Sequence, residues 1–153
     1  MQLYYQGEQI PIAALTALQS SQYGSCDASH CIDGIINCNG ESTCDNYVCH
    51  TLDHGTQWLL ITATGYPAVD KVIVYNRIDM GLNRINGATL IVSQDSTFDT
   101  IEWQAIFDNS ASLTYTFIKP GNIINVIINI IIIIIIVIII IIRHLLYDTI
   151  NDT

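Results

Sequence analysis

The sequence predicts an all-β fold, an antiparallel β-sandwich, followed by a single C-terminal apolar helix. Three observations predict it. From residue 56 onward, short β-branched and aliphatic runs alternate with a period of two between turn signals. No segment before residue 119 carries a sustained helical period with caps. Residues 123–142 form an uncharged, almost pure isoleucine tract. The chain's 153 residues suffice for one domain with a true core.

Taken in order, residues 1–11 read as an N-terminal extension. Residues 19–57 are rich in Ser, Asn, Asp, Gly and Thr and read as loop. Strands follow over 57–64 and 69–77, separated by the turn signal Gly65-Tyr66-Pro67. In the second, Val72 and Val74 point one way while Ile73, Tyr75 and Arg77 point the other. Over 87–93, Ala88, Leu90 and Val92 alternate with Thr89, Ile91 and Ser93. Ile101, Trp103, Ala105 and Phe107 set the next strand, and Leu113, Tyr115 and Phe117 the last. Trp58 and Trp103 are expected to pack in the core.

All five cysteines (Cys26, Cys31, Cys38, Cys44, Cys49) lie in the loop-rich region. Their spacing contains no Cys-x-x-Cys pair, which weighs against structural zinc. Such density in a loop suits disulfide staples formed in an oxidising compartment. Four cysteines suffice for two disulfides, and the spacing leaves their connectivity open.

The net charge of −9 with five basic residues excludes a nucleic-acid surface, which needs clustered Lys and Arg. No nucleophile elbow, phosphate loop or metalloprotease motif occurs, so the chain reads as non-enzymatic. His50 and His54 have helical metal-pair spacing, but their surroundings read as loop and the pair as solvated.

Against this background His50, Arg77 and Arg84 stand out, in the frame His-(26 residues)-Arg-Ile-Asp-(4 residues)-Arg. Two guanidinium forks and an imidazole suit a small polyhydroxylated ligand, because they offer fixed hydrogen-bond donors. Asp79, inside the frame, is placed to brace the guanidiniums by charge-assisted pairing. The competing reading is two arginines on a solvated face.

This frame resembles the fucose-binding signature of the F-type lectins (fucolectins), a branch of the galactose-binding-like, discoidin-like domains. Further stretches carry the resemblance. Ala17-Leu18-Gln19-Ser20-Ser21-Gln22-Tyr23-Gly24 is similar to the family's opening "ATQSSTYG", and Cys31-Ile32-Asp33-Gly34-Ile35 to its "AVDGN" turn. Cys49-His50-Thr51 stands at its Cys-Thr-His-Thr segment, and Gln57-Trp58-Leu59-Leu60-Ile61 at its "PWWRVDL" strand. Val72-Ile73-Val74-Tyr75-Asn76-Arg77 and Arg84-Ile85-Asn86-Gly87-Ala88 are similar to "VVVYNR" and "RLNGA". The similarity covers residues 12–118 and stops short of the family's last strand.

The resemblance implies a jelly-roll-like sandwich that binds a fucosylated glycan or another small saccharide. His50, Arg77 and Arg84 would hydrogen-bond the sugar, and an apolar patch would receive the methyl of a 6-deoxy sugar. Tyr47 is a candidate wall for that patch and equally an exposed loop tyrosine. Met80-Gly81 replaces the family's adjacent cysteines, leaving Met80 as the hydrophobic contact. The resemblance also implies a calcium ion near the "DGN" turn, held by the Asp33 carboxylate and the backbone carbonyls of His30 and Ile35. This chain departs from the pattern there: Ile35 replaces the usual Asn, and the family's closing Cys-Glu pair has no match.

After Lys119 the chain changes character. Residues 120–142 carry no charge, and Lys119 and Arg143-His144 flank the isoleucine tract. Twenty residues of helix span about 30 Å, the thickness of a bilayer's hydrocarbon. Residues 119–142 therefore read as a single-pass membrane span and 143–153 as a short polar tail. The cysteines place residues 1–118 on the extracellular or luminal side. Residues 1–18 lack the features of a signal peptide. A second reading of the tract is low-complexity sequence from a simple repeat or a frameshift, since a selected span seldom lacks Leu, Ala, Gly and Phe.

The expected function is thus non-enzymatic carbohydrate binding by a membrane-tethered domain. Two alternatives stand beside it. One is a discoidin-like adhesion or structural module that binds protein or lipid and whose sugar site has decayed. The other is a degraded copy that folds incompletely.

Overall fold

Alternation of side chains along short strands dictates the architecture, because each strand can bury only one of its two faces. In the computed structural model, which describes residues 1–36, 48–77 and 81–121, the strands form three antiparallel sheets. The chain divides into two units, Met1–Lys119 and Pro120–Thr153, and every described strand belongs to the first. The fold is all-β, as expected.

The largest sheet has four strands in the order β2 (Glu8–Gln9), β1 (Gln2–Tyr5), β5 (Lys71–Tyr75) and β8 (Thr114–Ile118). The second pairs β3 (Leu15–Gln19) with β4 (Leu59–Ala63), and the third β6 (Thr89–Ser93) with β7 (Ile101–Ile106). Among the described residues, three short 3-10 helices, Ile12–Ala14, Ala28–Cys31 and Leu82–Ile85, punctuate the connections.

One core draws on all three sheets. Leu3 of β1, Val72 and Val74 of β5, Tyr115 of β8, Leu15 of β3 and Trp103 of β7 are buried together. Phe107 meets Tyr115 and Phe117 edge-on, with ring centroids 5.0 and 4.8 Å apart. Each large side chain so buried contributes about 2–3 kcal/mol of transfer free energy. Trp103 satisfies its indole N–H on the Val69 carbonyl at 2.8 Å, so its polar atom costs nothing inside.

Two sequence expectations need correction. Residues 1–11 are no extension: β1 lies between β2 and β5, and Leu3 and Ile10 are buried. Four residues with a single inward leucine give too short a period to announce a strand, but the ladder to β5 supplies the missing pairing. Trp58 is not in the core. It is 50 % exposed, because it shares the outward face of the β3–β4 pair with Leu18 and Leu60, while Ile61 and Ala63 turn toward the core. Among the described residues no helix is long and apolar enough to cross a membrane. The expected apolar helix (residues 123–142) and the tail (143–153) lie outside the described residues.

Candidate functional site

β5 ends at Tyr75, and its last residues are tied down before the chain turns. Asn76 does most of this. Its side-chain amide donates to the carbonyls of Leu82 (2.8 Å) and Ser112 (3.1 Å), and its Oδ1 accepts from the Arg77 amide at 2.9 Å. Arg77 therefore leaves the sheet two residues past the strand's end, on a fixed backbone. Arg84 arrives on the 3-10 helix Leu82–Ile85, which Gly81 initiates in the left-handed region at φ 96°. Only glycine adopts that conformation without strain.

Gly81 also makes room for both arginines. A Cβ at this position would lie 3.0 Å from Arg84 Nε and 3.6 Å from Arg77 Nη1. The two guanidiniums thus converge over one bare stretch of backbone. His50 joins them, its Nε2 3.5 Å from Arg84 Nη1. The three residues of the sequence frame are brought together.

His50 is held on several sides. Cys49, its neighbour, is disulfide-bonded to Cys31 at the end of the 3-10 helix Ala28–Cys31. Cys26 is also disulfide-bonded and fully buried. The Tyr23 amide donates to the His50 carbonyl at 2.9 Å, and the Tyr23 ring meets the imidazole edge-on, 5.0 Å between centroids. Polar residues of the 17–24 stretch brace the same loop. Gln19 donates to the Cys26 carbonyl at 2.8 Å, Ser20 donates to Gln57 Oε1 at 2.7 Å, and Ser21 Oγ accepts from the Leu52 amide at 2.9 Å.

Partial burial and the charges of Arg84 and Arg77 hold the His50 pKa below its ordinary value, while Asp53 opposes them weakly. The neutral imidazole is thereby favoured over the charged one. The site combines two permanent cations with a neutral ring that can donate or accept, the inventory needed to grip hydroxyls. Tyr23 belongs to this site and was missed by spacing arguments. Its only signal was its place in the Ser-Ser-Gln-Tyr-Gly stretch.

In comparisons with protein-family models, curated proteins and solved structures, nothing matches this chain. The site's chemistry rests on its own geometry.

The remaining predicted site residues make other contacts or lie outside the described residues. Asp79, Tyr47 and Met80 lie outside the described residues. Asp33 Oδ1 accepts from the Ile35 amide at 2.8 Å. His30 directs its Nδ1 toward the Val48 carbonyl at 3.3 Å. Calcium takes six to eight oxygen ligands. The Asp33 carboxylate and the carbonyls of His30 and Ile35 would supply three of these, and no group of three His, Cys, Asp or Glu side chains assembles among the described residues.

Proposed function

We propose that this chain is a non-enzymatic carbohydrate receptor whose His50, Arg77 and Arg84 grip a small saccharide of the 6-deoxy, fucose type. The observation that carries the reading is the 3.5 Å approach of Arg84 Nη1 to His50 Nε2, with Arg77 over the same glycine. Guanidinium forks donate to vicinal hydroxyls in fixed directions, and the neutral imidazole completes the set. The partly exposed ring of Tyr23 supplies an apolar edge beside it. In the same proposal the sheets form a jelly-roll-like sandwich of the F-type lectin kind, and residues 123–142 tether it to a membrane. Calorimetric titration of the full-length chain with L-fucose tests the reading. Binding is expected, and each of His50→Ala, Arg77→Ala and Arg84→Ala should abolish it without loss of the folded state.

A second reading, a discoidin-like adhesion module binding protein or lipid, is favoured by one feature. Leu18, Trp58 and Leu60 form an apolar strip on the outward face of β3–β4, with Leu18 63 % exposed. A folded chain indifferent to fucose that binds vesicles, and loses that binding on Trp58→Ser, would favour this reading.

A further inference from the structure

We propose that the His50–Arg84 contact is a proton-operated latch, which acidification opens so that the bound saccharide is released. The inference rests on the receptor reading above. A guanidinium has donors and no acceptor, so Arg84 Nη1 at 3.5 Å can only donate to a lone pair on His50 Nε2. That lone pair exists only while the ring is neutral with its proton on Nδ1. Protonation at Nε2 sets one N–H against another and adds a third positive charge beside two guanidiniums.

Among the described residues, the groups facing His50 come from four parts of the fold. Arg84 faces it from the 3-10 helix Leu82–Ile85, and Arg77 from beyond the end of β5. Asp53, further along its own loop, favours the charged ring. Tyr23 presents only a ring edge. Burial and the two arginines prevail over Asp53, which puts the imidazole's protonation below 6.5. A neutral sugar brings no charge to offset the imidazolium, so protonation, by breaking the Arg84 contact, weakens binding. An anionic ligand would behave oppositely, since a third cation would tighten its hold.

The test is a fucose titration of the full-length chain from pH 8 to pH 4.5, with a ring-nitrogen NMR titration of the ligand-free protein. The association constant should be level near neutrality, then fall by up to about tenfold per pH unit below the His50 midpoint. His50→Gln should bind more weakly with a flat profile. Without ligand, His50 should be the Nδ1–H tautomer, and Arg84→Gln should move its midpoint upward. A level wild-type profile, or tighter binding at low pH, overturns the latch. Absence of fucose binding at pH 7.5 defeats the receptor reading instead. The ligand-free titration then decides the contact alone: an Nε2–H tautomer, or a midpoint unmoved by Arg84→Gln, overturns it.

Discussion

Cys31 and Cys49 are joined by a disulfide across a sequence separation of 18, with Cα atoms 5.3 Å apart, and the residue after Cys49 is His50. The cross-link fixes the approach of the imidazole to the arginines. Replacing both cysteines by alanine is expected to lower stability by about 2–4 kcal/mol, mainly by freeing the unfolded loop. Fucose affinity should fall further than that of any variant with equal stability loss elsewhere, because the order of the His50 loop must then be created on binding. Denaturant unfolding and calorimetry, compared with a core variant of matched stability, check this.

Asn76 touches both arms of the site without belonging to the proposed ligand-binding set. Asn76→Ala removes its donors to Leu82 and Ser112 and its acceptor for Arg77, leaving two carbonyls and an amide without these partners. We expect a loss of about 1–3 kcal/mol in stability. Fucose affinity should fall about tenfold, because the turn carrying Arg84 loosens. An affinity equal to wild type would show that Arg84 is placed by other contacts.

Gly81→Ala meets two obstacles. Its φ of 96° is unfavourable for any side chain, and the new Cβ would lie 3.0 Å from Arg84 Nε. The backbone penalty alone is about 1–2 kcal/mol. The methyl also pushes the guanidiniums apart, so binding should weaken beyond what the stability loss explains. Thermal melts and fucose titration of this variant separate the two effects.

Stability should depend on pH in two windows. The His50 pKa is lowered on folding, so the unfolded state takes up the proton first as pH falls below 6.5. Stability is then fully present above that value and declines below it, until the depressed folded value is reached. His50→Gln should remove this slope. Glu102 is also held below its ordinary 4.5, first by Gln94 and then by Lys119, whose Nζ is 3.0 Å from it. Its contribution is present above pH 4.5 and lost as pH falls through the folded value. Lys119→Ala should cost about 0.5–1 kcal/mol at neutral pH and nothing in strong acid.

Trp103→Phe keeps most of the apolar burial but abandons the Val69 carbonyl, which the indole N–H now satisfies at 2.8 Å. A loss of about 1–3 kcal/mol in urea unfolding is expected. Trp58→Phe, on the outward face of β3–β4, should cost less than 0.5 kcal/mol.

Much of the strand pattern was legible because it is local. Val72, Val74, Trp103 and Tyr115 announce their inward direction by alternation with neighbours, and all four are buried. Trp58 shows where that logic ends: a large aromatic at a strand's entry signals burial, yet its face is chosen by the β3–β4 register. β1 was illegible for the same reason, since only its pairing with β5 makes four ordinary residues a central strand.

By itself, the sequence determined the chemistry on offer: an all-β chain, oxidised cysteines in a loop, and an imidazole with two arginines in a scarce-cation background. Only the tertiary structure decided that Cys31 chooses Cys49, that Tyr23 and Asn76 serve the site, and that Arg84 reaches His50 across 34 residues. Residue type and periodicity are properties of short stretches. Convergence of side chains is set by long-range ladders and cross-links, and no short stretch contains it.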